Sequence, residues 1–289
     1  MTASPSTGLA TPLVTPAAEP AGRRAVASPA RGGGGDGAWM LAAQVAVLGA
    51  AVGAWWLVSL RVGAGSVPTP AKTAQALIDL AGTGAFWTAL WTTSVTWAIG
   101  FAVCAIVGIP LGLFVGSNRF ASRSTRFVFD FMRTIPPVAL VPLALLLYGP
   151  TRNMVLLLVI SGAIWPLLIQ SVYAAQQQEP LLDDVARTFR LTRRSRFVDI
   201  FWPSALPFVM SGLRVTGTIC LLLTVSGELI GGAPGIGTEI QRALDAVDNP
   251  RMYAEVIAAA CLGVAINFLL ARVRTRVLRW HPSVRGAAR

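Results

Sequence analysis

From Leu80 to Asn118 the chain carries no charged side chain, and this narrows its folds more than any other feature. A helix rises about 1.5 Å per residue, so roughly 20 apolar residues cross a hydrocarbon layer about 30 Å thick. Five further segments approach that length. Apolar runs extend from Trp39 to Leu60, from Phe127 to Tyr148, from Asn153 to about Tyr173, from about Ala205 to Ile230, and from about Tyr253 to Ala271. Within the first-mentioned stretch, Trp97 to Gly116 is the most apolar part. With 54% hydrophobic and 13% charged residues and a mean hydropathy of +0.62, the chain is expected to be an all-α polytopic membrane protein with about six spans.

Charge placement orients it. The net charge is +11, and Lys72 is the single lysine, so the basic excess is almost all arginine. This bias reads as genomic composition, and no nucleic-acid partner is expected. With the N-terminus inside, seventeen of the 24 basic residues fall in cytoplasmic segments and five in external ones, which makes both termini cytoplasmic by the positive-inside rule. Residues 1–38, rich in Ala, Pro, Gly, Ser and Thr, read as a disordered cytoplasmic leader. The leader and the apolar run after it are too long for a cleaved signal, so the first span should remain as an anchor in the cell membrane. Residues 39–271 form the expected transmembrane domain and residues 272–289 a basic cytoplasmic tail.

No catalytic constellation emerges. His281 stands beside Trp280 as an interfacial residue with no second metal-binding side chain nearby, so no metal site is expected. Cys104, Cys220 and Cys261 are scattered through apolar spans as small packing residues. No glycine precedes Lys72, which excludes a phosphate-cradling loop of the G-x-x-x-x-G-K-[ST] kind. The chain is therefore expected to be no enzyme and to hold no cofactor, and any ATP used must be bound by another subunit.

Three features inside the spans stand out. Gly108, Gly112 and Gly116 recur every fourth residue and allow close helix packing in lipid. Pro110 and the pair Pro136 and Pro137 remove backbone donors, so their helices should kink or open; the pair either lines a solute path or begins a helix structurally. Glu228 is the sole acid between Val215 and Gly237, and an ionisable group at that depth must be paired or wet. We expect it to serve backbone amides of the turn Gly231 to Gly237 rather than contact solute directly.

The most telling segment is the polar insert Glu179 to Pro207. Pro180 suits a first helical turn. Leu181, Val185 and Phe189 then recur at four-residue spacing, with Leu182 and Ala186 alongside, forming an apolar face. A second short helix is expected from about Arg193 to Phe201, ended by Pro203. Such a hairpin either docks in the groove of a soluble partner or lies on anionic lipid headgroups.

This insert resembles the cytoplasmic EAA loop of binding-protein-dependent ABC transporter permeases, whose pattern is E-A-A, three residues, G, nine residues, then I-x-L-P. Asp184, Val185 and Ala186 fall on E-A-A, Arg190 on the glycine, and Ile200, Trp202 and Pro203 on the conserved end of the pattern. Ser66 to Pro70, Gly108 to Gly112, Arg133 to Pro142, Pro207 to Arg214 and Glu228 to Gly237 resemble further elements of the nitrate, sulfonate and taurine subgroup. The resemblance implies a type I-like importer permease fold. It further implies a dock for ATPase subunits made by Leu181, Asp184, Val185, Ala186, Phe189, Arg190, Ile200 and Pro203, with ATP and Mg held on those partners. An extracytoplasmic binding protein would deliver solute near Gly231 to Pro250, and a second permease subunit would complete the pore, which would work by alternating access around Pro136 and Glu228. Arg190 in place of glycine implies a reshaped turn, from which a heterodimer with a more typical permease is expected, with a homodimer as the alternative. A secondary transporter is the alternative, but it would need intramembrane relays or inverted repeats, and neither is visible. A membrane scaffold or sensor is a third reading.

Overall fold

The computed structural model describes residues 36–63, 65–177, 186 and 188–279. By contacts the chain divides into Met1–Ala50 and Ala51–Arg289. The first unit contributes the opening turns of helix α1 (Asp36–Val62); the second holds everything discussed below. The leader before residue 36, and Trp280 and His281, lie outside the described residues.

Helix starts follow from local chemistry. In α2 (Pro70–Ala81) proline occupies the first turn and the Thr69 hydroxyl accepts from the Lys72 amide, which satisfies donors that a helix start leaves orphaned. Thr83 likewise caps α3 (Gly84–Ser117), and Asn118 Oδ1 accepts from the amides of Phe120 and Ala121 to begin α4 (Arg119–Met132). Although Pro110 lies inside α3, the helix runs through it.

The expected third span, Phe127 to Tyr148, is not one helix. Met132 ends α4; after a break, a 3₁₀ turn at Pro137–Leu140 leads into α5 (Val141–Tyr148), and the two arms meet at 71°. Pro136 and Pro137 lack the N–H groups that would continue the ladder, and each biases the residue before it away from helix.

The remaining chain forms α6 (Arg152–Gln176), α7 (Arg193–Gly231), α8 (Ile236–Asp245) and α9 (Asn249–Val277). Here a second expectation fails: Pro203 does not end a short helix. The backbone passes from Arg193–Ser195 through a π-helical segment, Arg196–Phe201, straight into Trp202–Gly231. Proline sits in the first turn of that last section, where its missing donor costs little, and the widened turn ahead of it accommodates the ring. The last span, α9, is also six residues longer at its C-terminal end than the expected limit at Ala271.

Among the described residues five helices are long and apolar enough to cross a membrane, or six if the bent α4–α5 pair forms one span. The core lies where α3, α5, α6 and α7 meet, around Cys104, Ala144, Met154, Leu158, Leu167, Cys220 and Leu223. Apolar side chains on the outer faces of these helices are exposed, among them Ile106, Phe114, Leu146 and Leu222. A bundle solvated by lipid places them there, since hydrocarbon tails take the role that a packed interior plays in water.

Candidate functional site

The glycine stripe of α3 lies against α6. A Cβ on Gly112 would come 2.6 Å from the Leu168 carbonyl oxygen, and one on Gly116 would come 2.6 Å from that of Val172. At Gly108 the nearest atom would be a Leu167 methyl at 3.4 Å, an ordinary contact. The two backbones therefore converge toward the Ser117 end of α3, where only hydrogen fits. Gly100 extends the same four-residue row, meeting Val159.

Convergence at that end anchors the insert. Ala205 and Val209 of α7 are buried with Leu113 of α3 and Ala174 and Ala175 of α6. Phe201 and Leu213 pack against the same cluster. Leu181, Asp184 and Val185 lie outside the described residues. Among the rest of the expected dock, Ala186 is buried, Ile200 and Pro203 are half-buried, and Phe189 and Arg190 are exposed. The Leu191 amide donates to the Ala186 carbonyl at 3.0 Å, closing a turn in which Arg190 has φ 49°. This corrects the expectation of a reshaped turn: the arginine itself takes the left-handed conformation that suits glycine, at a cost of about 1 kcal/mol. Thr192 then caps the start of α7 by accepting from the Ser195 amide at 3.2 Å. Beyond it, Phe197 and Phe201 stack at 5.2 Å between ring centroids. Phe189, Phe197 and Val198 are all exposed, so the insert carries an uncovered apolar surface amid Arg193, Arg194 and Arg196.

At the other end of α7, Glu228 is fully buried. Its Oε2 accepts from the Thr93 hydroxyl of α3 at 2.8 Å and from the Gly237 amide of α8 at 3.1 Å. Thr93 Oγ1 in turn accepts from the Ile236 amide at 2.9 Å. The Glu228 backbone carbonyl accepts from Thr238 Oγ1 and from the Gly232 amide, each at 2.9 Å. Gly232, with φ 70°, closes the helix as a left-handed cap. A Cβ on Gly235 would fall on the Glu228 carboxyl group itself. The carboxyl thus accepts from one backbone amide of the glycine-rich turn, that of Gly237, and from a threonine of another helix. Sequence reasoning missed Thr93, because a threonine in an apolar span carries no periodic or motif signal. Oε1 has no hydrogen-bond partner among the described residues.

The proline break packs between these two ends. Gly162 of α6 leaves room for the Pro137 ring and for Leu223 of α7, each of which a Cβ there would overlap. Pro137 is half-buried and Pro136 exposed. On the outer rim of α8 and α9, Arg251 bridges Glu239 and Glu255 at 3.0 Å each, an arrangement also missed, although its i,i+4 spacing in α9 was visible. Among the described residues no cluster could hold a metal ion.

The profile of the family described as binding-protein-dependent transport system inner membrane component matches residues 108–280. The chain is 33% identical over 175 residues to the nitrate import permease protein of Synechocystis sp., covering 61% of this chain and 62% of that relative. Against the bicarbonate transport system permease protein of Synechococcus elongatus it is 30% identical over 198 residues, covering 68% and 69%. The chain thus spans less than two thirds of the nitrate relative's length. A methionine ABC transporter solved in inward-facing conformations has the same fold, with a TM-score of 0.56 at 18% identity over 65% of this chain and 93% of that one. Because the profile runs from the middle of α3 to the end of α9, more than half of its residues, the chain belongs to the family of binding-protein-dependent transport system inner membrane components.

Proposed function

We propose that this chain is the permease subunit of an ATP-driven ABC importer, one half of a pore for a small solute delivered by an extracytoplasmic binding protein. ATPase subunits holding ATP and Mg dock on the insert from the cytoplasm, where both termini also lie. The observation that carries the reading is the closed turn at Arg190, which displays exposed Phe189, Phe197 and Val198 at the head of a helix rooted in the bundle. A lone apolar surface of this kind calls for a groove to cover it. Force applied there reaches α3 and α6 through Ala205 and Val209, and at its far end α7 is tied to α3 and α8 by Glu228. The bent α4–α5 pair, seated on Gly162, is the element that moves between the two access states. A second permease subunit completes the pore; with the turn retained at Arg190, a homodimer suffices. The nitrate and bicarbonate permeases among its relatives favour a small oxyanion as cargo.

The test is to reconstitute the full-length chain with its ATPase and receptor and to place cysteines at Phe189 and Phe197. Crosslinks to the ATPase, and loss of receptor-stimulated ATP hydrolysis in Phe197→Ser, are expected. Crosslinks to lipid alone, with hydrolysis unchanged, would instead identify the insert as a membrane-surface hairpin.

A further inference from the structure

A groove between α4 and α6 encloses about 320 Å³ and includes Ser122, Arg126 and Asp130 from α4, Arg133 just after it, and Tyr173 and Gln176 from α6. The opposite face of α4 carries Phe120, Phe127 and Phe131, all exposed. The helix therefore turns Phe120, Phe127 and Phe131 outward and Arg126 and Asp130 toward a neighbouring span, where Phe129 packs on Trp165 of α6.

Among the described residues the charges in this groove do not balance. Asp130 pairs with Arg133 at 3.1 Å, whereas Arg126 makes no hydrogen bond or ion pair with the described residues, leaving one cation over. Gln176 Nε2 donates to Ser122 Oγ at 2.6 Å, which holds the two helices together at the mouth. Tyr173 also lines the wall. A guanidinium offers a planar fork of donors that matches the paired oxygens of phosphate, sulfonate or carboxylate groups. Beside an apolar phase, a free cation of this kind gains most from an anion that brings such oxygens to it.

We propose that the α4–α6 groove is an oxyanion-binding site in which Arg126 is the principal ligand, with Arg133 and Tyr173 beside it. The shared chemistry is a phosphate- or sulfate-like group, supplied either by a free anion or by a lipid phosphodiester. Full-length protein in phosphatidylcholine nanodiscs is titrated with sulfate and with inorganic phosphate, and separately prepared with increasing phosphatidylglycerol, while thermal unfolding is followed. A saturable rise in Tm is expected. It should weaken by roughly tenfold in apparent affinity in Arg126→Gln, the loss of one charge-assisted hydrogen bond. Arg126→Lys should fall between, and Arg123→Gln, outside the groove, should match the parent. A response to the soluble anions identifies a free-oxyanion site, and a response to phosphatidylglycerol alone identifies a lipid phosphate. No response in either series, or the same response in Arg126→Gln as in the parent, overturns the proposal.

Discussion

Thr93 and Glu228 stand 135 positions apart yet share a 2.8 Å hydrogen bond at full burial, and the same threonine oxygen accepts the Ile236 amide. One hydroxyl thus serves as donor to one helix and acceptor for another. Thr93→Val keeps the shape and removes both bonds, leaving a carboxylate oxygen and a buried amide each short of a partner. The expected loss is about 1 to 3 kcal/mol, that of the orphaned Ile236 amide, since Glu228 Oε2 keeps the Gly237 amide. Thermal or denaturant unfolding in nanodiscs measures it, and Thr93→Ser should retain most of the stability.

The converging α3 and α6 backbones predict a graded response to one added methyl group. Gly108→Ala should be nearly neutral, since its nearest neighbour would stand at 3.4 Å, while Gly112→Ala and Gly116→Ala meet backbone oxygens at 2.6 Å. Overpacking of that kind costs about 1 to 3 kcal/mol. Equal Tm values for the three variants would refute the close approach.

Arg190 holds a left-handed φ of 49° that a β-branched residue strongly resists. Arg190→Gly should leave the turn intact and relieve up to about 1 kcal/mol of strain, whereas Arg190→Val should open it. Hydrogen exchange at the Leu191 amide, bonded to the Ala186 carbonyl, reports the difference directly: slow in the parent and the glycine variant, fast in the valine variant.

Arg251 is partly exposed, but its partner Glu255 is almost wholly buried, and Glu255 Oε2 already lacks a hydrogen bond among the described residues. Arg251→Ala should cost about 1 to 3 kcal/mol by leaving that carboxylate without its cation. Adding Glu255→Gln should recover part of the loss. A double-mutant cycle on unfolding free energies checks this, and strict additivity would show that the pair is uncoupled.

Long charge-free runs made the spans legible, because a helix length and a lipid thickness leave one solution. Of the insert, the helix expected from its four-residue apolar spacing falls mostly outside the described residues, while the second helix, expected from Arg193, begins there. The short helix α2 went unread because nothing marks twelve amphipathic residues as separate from the span that follows.

By itself the sequence determined the class of fold, the glycine row, the break at Pro136 and Pro137, and the need for Glu228 to find partners, because these follow from local geometry and from the cost of burying polarity in lipid. Tertiary structure alone decided that Thr93 is one of those partners, that α7 runs unbroken past Pro203, and that Arg126 lines a groove against α6. Each of these depends on residues far apart in the chain or on a backbone register that no local pattern encodes.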